Sequence, residues 1–103
     1  MTDVTFPADL VELQRAAHTA WAALEAHRKQ VDAARRKEPR VELPGRTMAL
    51  RPWTPAEDAE HARLRAAVTA AQEAVRAGIA AAPGLGGGYD TVQGLHRAAR
   101  AGG

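Results

Sequence analysis

The chain has 103 residues, of which 25 are alanine, 12 are arginine and none is cysteine or serine, and its formal net charge is +2 at pH 7. This length allows one domain, and the missing residue types exclude serine and cysteine nucleophiles, disulfides and thiolate metal sites. A net charge so close to neutrality is not typical of nucleic-acid-binding domains, which usually carry a clustered positive excess.

Large apolar side chains are scarce, since leucine, isoleucine, valine and phenylalanine together number 17. Alanine has the highest helix propensity of all residues, so we predict an all-α protein with a thin core. A thin core in a small chain is marginally stable by itself and is often completed by a partner or a second copy.

The first predicted helix covers residues 7–37. Pro7 suits the first turn of a helix, and from Leu10 onward apolar residues recur at spacings of three and four, which is typical of an amphipathic helix. Asp9 near the start and the basic residues 35–37 near the end both complement the helix dipole.

A proline-rich loop is predicted over residues 38–53, and its Pro44–Gly45 pair indicates a turn. Two arrangements remain open. The first is a small β-hairpin, formed by residues 41–43 and 47–50 around that turn. The second is an ordered loop that packs apolar side chains over the end of the helical pair. The side chains available for that packing are Leu43, Met48, Leu50 and Trp53.

The second predicted helix covers residues 55–82 and has a strong start signal. Thr54 suits the N-cap, Pro55 suits the first helical position, and Glu57 closes a capping box. The chain then predicts a glycine-rich hinge over 83–89.

A short third helix is predicted over residues 91–100, with Asp90 and Gln93 at its cap. It has two open roles, as a mobile arm that docks on a partner or on nucleic acid, or as a terminal helix that packs Leu95 on the helical pair or stays frayed. We favour the terminal helix over the arm.

Two long helices joined by a compact link should pack antiparallel and form a helical hairpin. The predicted boundaries align residues whose numbers sum to about 92. Trp21 then faces Ala71, and Leu24 faces Val68. The same register places Ala17 opposite Val75, Leu13 opposite Ile79, Val31 opposite His61, and Arg35 and Arg36 beside Glu57.

The candidate interaction surface combines basic residues of the first helix with residues of the third. Its members are Arg28, Arg35, Arg36, Lys37, Leu95, Arg97 and Arg100. Residues 28–40 carry a local net charge of +4, which suits contacts to a phosphate backbone. The alternative, which we favour, is a helix C-terminus complemented by cations and neutralised by the acidic start of the second helix.

A metal site would have to use His27 and His61, which the register places about one turn apart. Zinc accepts imidazole and carboxylate ligands, but neither helix carries the paired histidines of a metal-binding helix. The glycine cluster at 84–88 follows a helix rather than a strand, so it does not indicate a phosphate-binding loop. We predict no metal, no cofactor and no catalytic residues, and therefore no enzyme.

The opening MTDVTFPADL has neither a basic nor an apolar stretch, so we expect no signal peptide. No run approaches the ~18 apolar residues of a membrane span, so we expect no membrane association and a cytoplasmic location. The prediction is a non-enzymatic module that self-associates or binds a protein partner. The alternative is a nucleic-acid-associated accessory factor that uses residues 28–40 and the C-terminal arm.

Two stretches, TFPADL at residues 5–10 and WTPAE with RLR at 53–65, resemble a group of small helical-hairpin proteins of high-GC Gram-positive bacteria. The APGLGGGYD segment falls outside this resemblance. The resemblance implies a helical hairpin with a variable middle. It implies no activity and transfers no functional residues.

Overall fold

A computed structural model describes residues 6–82, 84–85 and 88–101, and for residue 89 it describes the backbone only. The elements follow in the order α1 (Ala8–Lys37), β1 (Val41–Glu42), β2 (Met48–Ala49), α2 (Pro55–Ala81) and α3 (Tyr89–Ala101). The two long helices pack against each other and α3 packs on α1, so the predicted fold class is confirmed. The hinge predicted over 83–89 falls partly outside the described residues and stays a prediction. No helix in the described ranges is long and apolar enough to cross a membrane.

The helix starts follow local chemistry. Pro7 is the N-cap of α1 rather than its first helical residue, and its carbonyl accepts the N–H groups of Leu10 and Val11 at 3.0 and 3.1 Å. The capping box of α2 is confirmed, because Thr54 Oγ1 accepts the Glu57 N–H at 3.1 Å while Glu57 Oε1 accepts the Thr54 N–H at 2.8 Å. Such a box satisfies two N–H groups that a helix N-terminus leaves without partners.

The cap predicted for the third helix is wrong. The helix begins at Tyr89, so Asp90 lies inside the first turn, where its charge favours the helix dipole. The first carbonyl to accept a helical hydrogen bond belongs to Gly88, which bonds the Val92 N–H at 3.2 Å. The helix therefore starts two residues earlier than its sequence signal.

The core consists of two small clusters along the α1–α2 interface. One cluster joins Leu24 to Leu64 and Val68. The other lies nearer the α1 N-terminus and brings α3 into the core. It contains Leu10, Ala17, Val75 and Leu95, with Leu13 and Ile79 packed against them. The pairs Leu24–Val68, Ala17–Val75 and Leu13–Ile79 agree with the predicted register.

Trp21 departs from that register. It was predicted to face Ala71 inside the interface, yet half of its surface is exposed. Trp21 lies at the edge of the apolar stripe of α1 and lines a groove together with Gln72, Val75 and Arg76 of α2. Its indole therefore lies in a groove beside the interface instead of between the helices.

Residues 41–49 form the small hairpin, which confirms the first arrangement. Val41 pairs with Ala49 and Glu42 with Met48. The turn has Pro44 followed by Gly45 at φ +87°, and the Arg46 N–H donates to the Leu43 carbonyl at 3.1 Å, as in a type II turn.

The second arrangement is wrong for the hairpin, because Leu43 and Met48 are 44% and 55% exposed. A two-residue strand pair exposes both of its faces, and none of the three described helices packs against it. Of the side chains proposed to pack over the helical pair, Trp53 does so: its ring contacts His27 and His61 edge-on.

Two glycines allow close packing that any side chain would obstruct. A Cβ atom on Gly78 would lie 2.9 Å from Leu10 Cδ1 and 3.2 Å from Leu13 Cδ1. A Cβ atom on Gly94 would lie 3.0 Å from Phe6 Cζ. Glycine lowers helix propensity at both positions, and close contact with a neighbouring side chain explains its presence.

We expect Gly78→Val to lower the free energy of unfolding by about 1–3 kcal/mol, the usual cost of an overpacked core. The matched control is Ala77→Val, since Ala77 is exposed on the same turn. Helix propensity alone predicts that Gly78→Val is more stable than Ala77→Val, because valine is a better helix former than glycine and a poorer one than alanine. The close packing at Gly78 predicts the reverse order of stability. Urea denaturation of both variants decides between these orders, and a more stable Gly78→Val protein would contradict the packing.

Candidate functional site

A histidine of α1, His18, and a histidine of α3, His96, meet between these two helices. His18 Nε2 lies 2.8 Å from His96 Nδ1, and the two rings stack with their centroids 5.0 Å apart. The side-chain nitrogen of Gln14, a buried residue, lies 3.5 Å from the same His96 atom. A hydrogen bond between two imidazoles needs an N–H on one ring and a lone pair on the other. The pair therefore ties α3 to α1 through one shared proton.

The environment of this histidine pair disfavours positive charge. Burial lowers the pKa of His18, and the neighbouring His96 and Arg100 lower the pKa further by electrostatic repulsion. Arg15 lies on the same side of α1 and donates from Nε to the Ala99 carbonyl at 3.1 Å. These contacts dock the C-terminal half of α3.

Between α2 and α3 lies an open cleft with a volume of about 830 Å³, whose floor is α1. We call it the α2–α3 cleft. Its apolar lining includes Ala17, Trp21, Val75, Ile79, Val92 and Leu95, and its polar lining consists of Gln14, His18, Gln72, Arg76 and His96. Apolar concave surfaces with a few polar groups are typical binding sites. Of the large apolar side chains named in this lining, Trp21 is the one that is exposed, at 50%.

A second groove continues along the same face of the α1–α2 pair. Its lining is Trp21, Leu24, Arg28, Trp53, Asp58, His61 and Arg65. Trp21 lines both cavities, so one indole joins the two grooves. The face that they share therefore runs from α3 toward the loop end of the helical pair.

At the loop end, His27 and His61 lie 6.5 Å apart between ring centroids, close to each other as the register predicted. His27 Nε2 lies 3.1 Å from the Glu57 carbonyl, and His61 Nδ1 is buried with no hydrogen-bond partner among the described residues. Trp53 packs edge-on against both rings, so they form an aromatic cluster. In the described part of the chain, no three His, Asp or Glu residues converge as metal ligands do.

Arg51 is a cation that no sequence pattern singles out, because its two acidic partners lie at separate places, one after the end of α1 and one in the first turn of α2. Its guanidinium bonds Glu57 at 2.7 and 3.0 Å and Glu38 at 2.6 Å. Arg35 and Arg36, which the predicted register places beside Glu57, form no ion pair with it in the described part of the chain. Arg35 instead pairs with Asp32 at 3.5 Å and donates to the Arg51 carbonyl at 2.6 Å.

The predicted interaction surface does not assemble as one patch. Arg28 pairs with Glu25 at 3.1 Å, while Arg36 and Lys37 are exposed near the end of α1. The basic residues of α3 are Arg97 and Arg100, both exposed. The α3 helix docks near Arg15, about 21 residues before Arg36. At a rise of 1.5 Å per residue, the basic residues of α3 therefore lie roughly 30 Å from those at the end of α1.

Leu95 does not belong to an exposed surface. It is fully buried in the core of the chain itself, where its side chain joins Leu10, Ala17 and Val75. Of the two roles proposed for the C-terminal segment, the packed helix is therefore the one observed.

No protein-family model, curated protein or solved structure matches this chain. The resemblance to small hairpin proteins therefore stays a prediction.

The Glu57 carboxylate should make stability depend on pH in acid. Hydrogen bonds from Arg51 and from the Thr54 N–H lower the pKa of Glu57 to about 2. A carboxyl group with a lowered pKa stabilises the folded state at pH values above its usual pKa of 4.5, and this stability is lost as the pH falls toward 2. Glu57→Gln keeps a residue that can close the capping box but removes the charge. We expect a lower melting temperature at pH 7 and a weaker dependence on pH between 4.5 and 2.

Asp58→Asn is the matched control, because it removes an acidic charge from the same helical turn without touching Arg51. Thermal melts of both variants across this pH range measure the difference. Identical pH profiles for the two would contradict a specific role for the Arg51–Glu57 pair.

Proposed function

We propose that this chain is a non-enzymatic helical module that acts by self-association, with the 41–49 hairpin of each copy seated in the α2–α3 cleft of the other. One observation carries the proposal. In the described part of the chain, large exposed apolar side chains occur at two places only: Trp21 in the cleft, and Val41, Leu43 and Met48 on the hairpin. An apolar projection and an apolar cleft on one molecule are complementary surfaces.

The positions of the two surfaces favour a closed dimer. The hairpin follows the C-terminal end of α1, while Trp21 lies 16 residues before that end, a distance of about 24 Å along the helix. The molecule is elongated, at 63 × 24 × 23 Å. Two such rods placed side by side and antiparallel bring each hairpin near the cleft of the other copy. Both contacts then form in one two-fold dimer, which is the commonest oligomer symmetry.

Charges on the two surfaces also agree with this pairing. Glu42 lies on the hairpin between Val41 and Leu43 and is exposed. Arg76 lines the wall of the cleft on α2. An ion pair between these residues at the rim of the contact would fix its orientation more than its affinity.

We expect Trp21→Ala to weaken the dimer at least tenfold, because truncating a central interface tryptophan usually costs 2 kcal/mol or more. The measurement is molar mass by light scattering across a dilution series, at low and high salt. Thr19→Ala, an exposed change on the same helix, should leave the mass unchanged. A wild-type chain that stays monomeric at every concentration would contradict self-association.

A mixing experiment tests the proposed contact itself. Leu43→Ala should also weaken the dimer, since it truncates the hairpin side of the same contact. In a mixture of Trp21→Ala with Leu43→Ala, the mixed dimer retains one contact in which both surfaces are intact. We expect this mixed dimer to be tighter than the average of the two variant homodimers. Equal affinities would place Trp21 and Leu43 in separate interfaces.

A cytoplasmic location and the absence of a cofactor remain part of this proposal. Nucleic-acid binding remains the alternative, with its two basic groups at separate ends of the molecule. It predicts binding to a short duplex that weakens steeply with salt, whereas contact through apolar side chains changes little with salt.

A further inference from the structure

We propose that His18 and His96 form a latch that holds α3 against α1 at neutral pH and releases it in mild acid, removing one wall of the α2–α3 cleft. The effect on dimerisation rests on the proposed function. The release of α3 does not, because the latch lies within one chain.

The geometry of the histidine pair allows one proton between the rings and not two. At 2.8 Å, His18 Nε2 and His96 Nδ1 are within hydrogen-bond distance. With one proton between them, one ring donates and the other accepts, whether the pair carries a charge or not. When both rings are doubly protonated, each facing nitrogen carries an N–H and neither can accept. The second proton therefore replaces a hydrogen bond with contact between two cations.

The groups around the pair add to this repulsion. Arg100 of α3 disfavours positive charge on His18. Arg15 lies three residues before His18 on α1 and donates to the Ala99 carbonyl, and Arg76 lines the same cleft from α2. Glu12, an acid on the same stretch of α1, is ion-paired with Arg15. The side chain of Gln14 is neutral, so it offers no charge to balance an imidazolium.

The sign of the pH dependence follows from these surroundings. Burial and the nearby positive charges lower the pKa of His18 below its ordinary value of 6.5. Protons therefore bind the released state more strongly than the docked state. Docking of α3 has its full strength above pH 6.5 and weakens as the pH falls below that value.

Release of α3 should also unfold it. The helix has 13 residues, and isolated helices of this length are marginal in water. Its stability depends on docking, through buried Leu95 and Ala99 and the contact between Gly94 and Phe6. The backbone amides of α3 thus report directly on the latch.

The test is hydrogen exchange of α3 at pH 7.5 and pH 5.0, corrected for the intrinsic exchange rate at each pH. We expect the protection of α3 to fall at pH 5.0 by up to about thirtyfold, since one linked proton changes an equilibrium by up to tenfold for each pH unit below 6.5. The amides of α2 around Leu64 and Val68 should stay protected and serve as an internal control. Protection of α3 that does not change with pH would overturn the latch.

His18→Gln keeps a hydrogen-bonding group but cannot titrate, so it should remove the pH dependence. His27→Gln is the matched control, because His27 is a half-buried histidine of α1 that contacts Trp53 and His61 instead of α3. An equal acid effect in both variants would overturn the proposal. If His18→Gln already releases α3 at pH 7.5, an NMR titration of the wild-type protein decides. The signals of α3 should change with the same midpoint pH as the signals of the two histidine rings. A different midpoint would contradict the latch.

The same exchange experiment in a Trp21→Ala background separates the latch from the dimer. We expect α3 of this variant to show the same acid-dependent loss of protection, because the histidine pair is intact in a monomer. A pH effect present in the wild type and absent in Trp21→Ala would assign the effect to dimer dissociation and overturn the latch.

Discussion

The contact between α1 and α2 through a narrow apolar stripe is the constraint on which the rest of this structure depends. Alanine and valine contribute much of that stripe, as at Ala17, Val31, Val68 and Val75. Stabilisation by burial scales with apolar area, at about 25 cal/mol per Å², so small side chains stabilise the helix pair only weakly. Small side chains also let the helices approach closely, and Gly78 shows how little space remains at one such point. The stripe holds two helices together but does not cover its own edges.

The third helix compensates for the thin core on one half of the molecule. Leu95 is the largest side chain that is completely buried, and it enters the cluster that α1 and α2 leave incomplete. Its position brings His96 against His18, so a polar contact lies directly beside an apolar one. The stability of the core on this half and the protonation of the histidine pair are consequently coupled. The other half has no third helix, and Trp21, which lines the grooves of both halves, remains half exposed.

The loop end is organised by different chemistry. Arg51 connects the loop to the start of α2 through Glu57 and to the end of α1 through Glu38. His27 and Trp53 pack beside this network. The fixed base of the loop places the hairpin beyond the end of the helices, where its apolar side chains have no cover. The two apolar surfaces of the proposed dimer thus arise from one cause, because the chain has too few large apolar residues to cover all the faces it forms.

The sequence by itself determined the two long helices and the hairpin turn, because each follows from local chemistry, and the apolar stripes of those helices predicted which of their faces meet. The capping box of Thr54 and Glu57 and the type II turn at Pro44 and Gly45 involve neighbours in the chain. Only the tertiary structure decided the contacts between distant residues. The histidines at 18 and 96 are 78 residues apart, and no sequence period relates a docked third helix to α1. The exposure of Trp21 also depended on tertiary packing. Trp21 lies at the edge of the apolar stripe, so the rotation of its side chain decides whether the indole lies in a groove or in the core.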